Sequence, residues 1–383
     1  MGELKSALER ACHPMLAWLD PAYDHHPTLG YEVAHDVGRW WDAALRLEQA
    51  IGWAIPSDIE AAMLRNFQRL TDNTDALLVN ESRFPNGKRV INPHNLRETM
   101  LAYHALVQFR SDDWARDAGR CFLKAVDRCV SDDGHFRAES LGIWGSAPLS
   151  EDRFIAERED EFGWYDATTT TGRCLEPVVL FHKETGDELA LRLAERLAEN
   201  HLRLMFDDDR RPCGKFFEPQ HVGHNHSYLG TVRGLLLFGL HTGQRRYVEA
   251  VNRLYRESIW QHNIEDDSWT PHDLGSARCV NAQGEKVGEP ASAADVAQIA
   301  LWLAEHGDQR DLLADIDKIV YSHLLPTQIL NTDLGVVRPD GRTIADRWLG
   351  GWGVCSDRNC KDCTFDVHAA VVHVLCNVLL NYK

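Results

Sequence analysis

A helix–turn–helix unit recurs along this chain, and no other feature narrows its fold as much. One copy, GRCLEPVVLFHKETGDELALRLAERLAENHLRLMF from Gly172, reads as an apolar helix, a TGD turn and a second helix of alternating charge. The copy from Gly230 repeats the plan with TGQ at the turn, and the copy from Ala293 repeats it with HGD. Earlier, DVGRWWDAALRLEQAIG from Asp36 pairs with IPSDIEAAMLRNFQRL, and ETMLAYHALVQFRSDD from Glu98 pairs with DWARDAGRCFLKAVDRCV. Each first helix is apolar around most of its circumference, as an enclosed helix must be, whereas each second helix keeps one charged face. First helices are therefore inner and second helices outer.

Inner helices are expected to begin near Asp36, Glu98, Gly172, Gly230, Ala293 and Asp366. The last, DVHAAVVHVLCNVLLNYK, has no partner after it, and the N-terminal ELKSALERACHPMLAWL supplies one. Six inner and six outer helices with meeting ends describe an all-α, (α/α)6 toroid, one closed catalytic domain over residues 1–383. An open helical solenoid is the alternative. KFFEPQHVG and GVVRPDGRT are expected to add small strands at the rim, and the acidic, aromatic loop from Glu139 to Gly163 to form a lid.

Composition removes several functions. A net charge of -17 repels polyphosphate backbones, so no nucleic-acid partner is expected. No apolar run is long enough to span a bilayer, and the start MGELKSALER carries acidic residues where a signal peptide needs basic and then purely apolar ones. A soluble, cytoplasmic protein follows, in which the ten cysteines stay largely reduced.

In such a toroid the inner helices run parallel, so their N-termini and the loops leading into them converge on one end, where free amides and dipoles favour polar and anionic ligands. Each entry carries groups able to donate, accept or ligate. They are His35 and Asp36; His94, Asn95, Arg97 and Glu98; Trp164, Tyr165, Asp166 and Arg173; His221, His224, His226 and Tyr228; Glu289, Ser292 and Asp295; and, at the sixth, CSDRNCKDCTFDVH from Cys355. Asp36, Ser292 and Asp366 also fit as plain N-caps. The QHVGHNHSYLG cluster exceeds what capping requires. Trp40, Trp164 and Trp352 stand near entries, where a flat apolar face with a polar edge suits a sugar ring as well as a core.

In the sixth entry Cys355, Cys360, Cys363 and His368 follow a C-x4-C-x2-C-x4-H spacing. Thiolates and imidazole are zinc donors, and Glu289 is a plausible ligand from the neighbouring entry. Reduced structural cysteines and a redox pair remain alternatives.

At these residues the chain resembles the six-hairpin glycosidases, and distantly the bacterial β-L-arabinofuranosidases. The likeness lies in Asp36, Val37, Trp40, Asp42, Ala43 and Ala44 of an early helix, in Gly172 with the Thr185–Asp187 turn, in Glu289, Pro290 and Ala291 with Ala293 and Ala294, and in the late cysteines. The resemblance implies a zinc ion held by one glutamate and three cysteines, with a thiolate nucleophile and a glutamate acid/base. Carried over, Glu289 is the ligand glutamate and Cys363 the second cysteine of the pair. Asp362 stands where the nucleophile would be and Ala291 where a ligand cysteine would be, so Cys355 and Cys360 are the substitutes.

The leading expectation is a glycoside hydrolase acting on a small sugar or oligosaccharide at the barrel mouth. Its acid and base come from Asp166, Glu289 and Asp362, its nucleophile is Cys363 if the thiolate chemistry holds, and His224, His226 and Tyr228 orient hydroxyls. Asp36, Trp40, His94, Trp164, Arg173 and Trp352 are expected to bind substrate. The alternative is a uronate-directed lyase or dehydratase, with a His/Tyr pair as base and acid and Arg97 or Arg173 on the carboxylate, or an epimerase using paired histidines. A barrel that binds sugar without turnover is the third reading.

Overall fold

The computed structural model describes residues 2–26, 30–81, 89–90, 94–137, 170–207, 225–259, 288–306, 309–330, 347–354 and 364–381. Its helices, in chain order, are α1 (Gly2–Ala17), α2 (Gly30–Ile51), α3 (Ser57–Leu70), α4 (His94–Arg110), α5 (Asp113–Cys129) and α6 (Thr171–Thr185). They continue with α7 (Glu188–Met205), α8 (Asn225–Thr242), α9 (Arg245–Leu254), α10 (Pro290–His306), α11 (Leu313–Lys318) and α12 (Phe365–Asn381). The π-helical turns Tyr255–Ile259 and Ile319–Leu324 prolong α9 and α11. A two-residue hairpin, Asn80–Glu81 against Arg89–Val90, is the one sheet among the described residues. The rim strands expected at KFFEPQHVG and GVVRPDGRT, and the expected lid, lie outside them.

The ring is closed. α2 packs on α4, α4 on α6, α6 on α8, α8 on α10, α10 on α12, and α12 back on α2. Outside it, α5 lies on α4, α7 on α6, α9 on α8, and α11 with its extension on α10. α3 reaches α4 through Phe67, whose ring sits 5.0 Å from that of Tyr103. α1 covers α12 and α2, so the N-terminal segment does complete the sixth hairpin. This is the (α/α)6 toroid the repeats imply.

Enclosure follows from the side chains. In α10 every residue from Pro290 to Leu301 is buried, and in α12 every residue from Phe365 to Val378 except Asp366. α7, by contrast, buries Ala190, Leu193, Ala194, Leu197, Ala198 and His201 on one stripe and leaves its charges to solvent. The TGD turn works by two caps: Gly186 closes α6 at a φ of 68°, and the Asp187 carboxylate accepts the Leu189 and Ala190 N–H groups of α7.

The helix starts differ from the sequence expectation. α2 begins at Gly30 rather than near Asp36, α4 at His94 rather than Glu98, and α8 at Asn225 rather than Gly230. The apolar pattern locates where enclosure begins, and the helical backbone starts several residues before it. Asp36, Ser292 and Asp366 therefore sit inside helices and are not their N-caps.

α2 and α4 touch at Gly38, where a Cβ would lie 2.2 Å from the Glu98 carbonyl oxygen. Gly38→Ala is expected to cost about 1–3 kcal/mol by overpacking. Urea unfolding should show a lower midpoint with an unchanged slope.

Candidate functional site

Polar side chains rarely enter an enclosed helix unless they are paired. Here they meet in the lumen. A cavity of about 50 Å³ is lined by Arg39 and Asp42 of α2, Arg97 of α4, Arg173 and Glu176 of α6, His226 and Arg233 of α8, Asp295 of α10 and His373 of α12. All six inner helices contribute.

The contacts form one continuous network. Glu98 accepts the Arg39 backbone N–H at 2.9 Å and the Arg97 Nε–H at 2.9 Å, and the Arg97 Nη2 also bonds it. The Arg39 Nη1 stands 3.7 Å from both Glu98 and Asp366, and its Nη2 donates to His226 Nε2 at 2.8 Å. Since a guanidinium has only donors, Nε2 is the acceptor and the ring proton sits on Nδ1, which donates to Asp295 Oδ2 at 2.6 Å. Asp295 Oδ1 accepts from Arg233 at 2.8 Å, and Arg233 Nη2 reaches Glu176 at 2.6 Å and His373 Nε2 at 3.0 Å. The same reasoning puts the His373 proton on Nδ1, which faces Asp42 at 2.5 Å. Asp42 holds Arg46, and Arg46 continues through Asn377 to Gln298.

Two aspartate–histidine pairs, Asp295–His226 and Asp42–His373, are thus bridged by Arg233. Burial alone would raise the Asp42 carboxyl, but Arg46 and His373 hold it well below the usual range. Burial lowers His373, with Arg46 adding to it, so that imidazole stays neutral. Burial raises Asp295 above its ordinary value against the pull of Arg233. At the mouth, burial and then Arg39 lower Arg97, and burial followed by Arg97 and Arg39 takes Arg173 well below a normal arginine. A neutral imidazole backed by a carboxylate, with Nε2 toward the lumen, is a proton-transfer arrangement.

At the other end of the lumen lies a larger cavity of about 560 Å³, lined by Arg46, Gln108, Lys183, His241, Trp302 and Asn377 among others. Glu176 and His373 border both spaces.

Of the residues named from sequence, Asp42, Arg97, Arg173, His226 and Asp295 line the cavity, and His94 bonds Arg173 at 2.7 Å. Asp36 is buried on α2. Tyr228 is buried on α8 and is not among the residues lining the cavity. The tryptophan expectation is corrected at two positions. Trp40 is 1 % exposed, donates its indole N–H to the Met15 carbonyl and packs on Trp41, because one helical step from Arg39 faces the outer helix and not the lumen. Trp352 is fully buried, bonds the Leu324 carbonyl and stacks on His368, which makes it core. Trp164, Asp166, His224, Cys355, Cys360, Asp362 and Cys363 lie outside the described residues.

Glu289 is buried and its Oε2 accepts the Ser292 hydroxyl at 3.0 Å, a bond within the start of α10. Among the described residues no three His, Cys, Asp or Glu side chains gather to hold a metal. Among the described cysteines Cys12, Cys121 and Cys376 are free thiols, and burial pushes Cys12 up to about 12.

Sequence reasoning passed over Arg39, Glu176, Arg233 and His373. The signal was present: TVRGLLLF, CLEPVVL and AVVHVLCN set Arg233, Glu176 and His373 among mostly apolar neighbours.

No family model and no curated protein matches the chain. Solved structures do. An unsaturated glucuronyl hydrolase from Bacillus sp. GL1, responsible for glycosaminoglycan degradation, aligns at 15 % identity and a TM-score of 0.59, over 98 % of this chain and 96 % of its own. A sugar epimerase from a ruminal bacterium aligns at 12 % and 0.61, over 98 % of each chain. A family 88 glycosyl hydrolase from Bacteroides vulgatus aligns at 12 % and 0.55, over 99 % of each. At these identities the likeness shows the shared toroidal fold.

Proposed function

We propose that this protein is a carbohydrate-active enzyme, a glycoside hydrolase taking a small sugar or oligosaccharide at the lumen mouth, with the whole chain acting as one catalytic domain. The observation that carries it is the Asp295–His226 pair, which points an imidazole nitrogen into a cavity ringed by charges from all six inner helices. Hydrolysis needs a base for water and an acid for the leaving oxygen. His226 backed by Asp295 serves as the base. The acid comes from Asp366, near Arg39, or from Asp166 or Asp362, which the sequence sets just ahead of the third and sixth inner helices. Hydrolases of the same fold support the reading.

A second reading, proton transfer at a sugar carbon, is favoured by the second pair, Asp42–His373, in the same lumen. An epimerase shares the fold. One panel of glycosides, uronides and free sugars separates the two. New reducing ends support hydrolysis; ultraviolet absorbance without them means elimination; deuterium entering a sugar carbon from heavy water means epimerisation or isomerisation. Sugar binding with none of these signals would leave a non-catalytic barrel.

Zinc held by Glu289, Cys355, Cys360 and Cys363 belongs to this proposal as a separate part, in which a thiolate at Cys363 would be the nucleophile. Mass spectrometry of metal content is expected to find about one zinc per chain. Glu289→Ala and Cys363→Ala should each lose it, and a metal-free parent protein would remove this part. No described helix is long and apolar enough to cross a membrane. The acidic charge and reduced thiols fit a cytoplasmic enzyme, which cell fractionation tests.

A further inference from the structure

Among the described residues five arginines border the lumen cavities, and four of them have a carboxylate partner there. Arg39 and Arg97 share Glu98, Arg233 has Glu176 and Asp295, and Arg46 has Asp42. Arg173 has none. It is 3 % exposed, its Nη1 donates to His94, and neither its Nε nor its Nη2 finds an acceptor among the described residues. A buried lysine can shed its proton, but a guanidinium keeps its charge, so leaving one unpaired in an enclosed site is costly. The largest charge effects on it come from Arg97 and Arg39, both positive, which Glu98 and Asp366 offset only in part. Arg97 and Arg173 both sit in the first turn of their helices, whose free amides add to the positive field.

The geometry points to a binding site in which Arg173, with Arg97 and Arg39, takes the anionic group of a sugar acid or sugar phosphate. This rests on the carbohydrate reading above and adds the class of substrate. A neutral hydroxyl can accept one hydrogen bond from the open guanidinium edge but leaves the charge uncompensated. A carboxylate or phosphate satisfies both nitrogens in parallel and supplies the missing charge. Size agrees: about 50 Å³ admits only a few water-sized groups, the scale of an anionic substituent and not of a whole sugar ring, which would stay toward the mouth. Seating the anion also gives Arg39 a competitor to His226 Nε2, the bond that occupies the base in the free protein.

The test is calorimetric titration and thermal unfolding of the full chain with glucose, glucuronate, glucose 6-phosphate and inorganic phosphate, for the parent, Arg173→Met and Arg173→Lys. Glucuronate or glucose 6-phosphate should bind the parent at least about tenfold tighter than glucose, and which of them does so identifies carboxylate or phosphate. Arg173→Met should abolish that preference while raising the ligand-free midpoint, because it replaces an unpaired buried charge with an apolar chain. Arg173→Lys should retain part of the preference. Equal binding of all four probes by the parent, or a preference that survives Arg173→Met, overturns the site. Inorganic phosphate binding as tightly as glucose 6-phosphate, with loss in Arg173→Met, keeps the anion site and counts against the sugar reading instead.

Discussion

His226→Ala is expected to lower kcat by about 10²–10⁴-fold, the range that a positioned proton-transfer group contributes. Its ring is fixed from both sides, by Arg39 on Nε2 and by Asp295 on Nδ1, so orientation and tautomer are set before substrate arrives. Asp295 keeps its bond from Arg233 after the substitution, so the fold should survive and KM should change little. Asp295→Asn leaves the shape but supplies an amide that need not accept the Nδ1 proton; it should therefore lose nearly as much rate and move the acid limb of the pH–rate profile. Steady-state kinetics on whichever substrate the panel yields decides. A loss below about tenfold in His226→Ala would reduce His226 to a binding residue and send the search for the base to Asp366 and the loop carboxylates.

The same residues show what could be read before the structure. Periodicity and turn chemistry carried the toroid, because an enclosed helix, a Gly186 cap and an Asp187 cap are each local in sequence. The mouth was legible as a set of helix entries, and Arg173 and His226 were among its residues. Which face of a helix a residue takes was harder. Arg39 and Trp40 are adjacent, yet one lines the lumen and the other packs beneath α1, a difference of one helical step that composition does not encode. Arg233 pairs with Glu176, Asp295 and His373, which are 57, 62 and 140 residues away along the chain. Such pairing is visible only once the ring has closed. Cysteine-rich spacing drew attention to the sixth entry, whereas isolated charges in apolar helices were the better indicator of the lumen.

Acid should unfold this protein early. His104 and His368 are fully buried, and burial takes each down to about 3 from an ordinary 6.5. Neither has a carboxylate in direct contact among the described residues: His104 has no hydrogen-bond partner on either ring nitrogen, and His368 lies against Trp352 and Phe365. Both stay neutral in the folded state down to about pH 3, while in the unfolded chain both take up a proton below about pH 6.5. The unfolded state then binds more protons, so stability falls as pH falls through that window. Each histidine contributes about 1.4 kcal/mol per pH unit once well below 6.5, and the two together about 2.7. His373, lowered for the same reason, acts in the same direction. Asp42 adds its loss only further down, where the unfolded carboxyl begins to protonate near 3.8 and the folded one does not. Over two pH units the histidines alone remove about 5 kcal/mol, comparable with the whole stability of many domains. Urea unfolding at a series of pH values from about 7.5 to 4.5 measures the slope, and His104→Leu should reduce it by about one proton while leaving stability near pH 7.5 within about 1–2 kcal/mol. A slope that His104→Leu leaves unchanged would mean that this imidazole is not buried neutral, and the packing of α4 against the lumen would have to be redrawn.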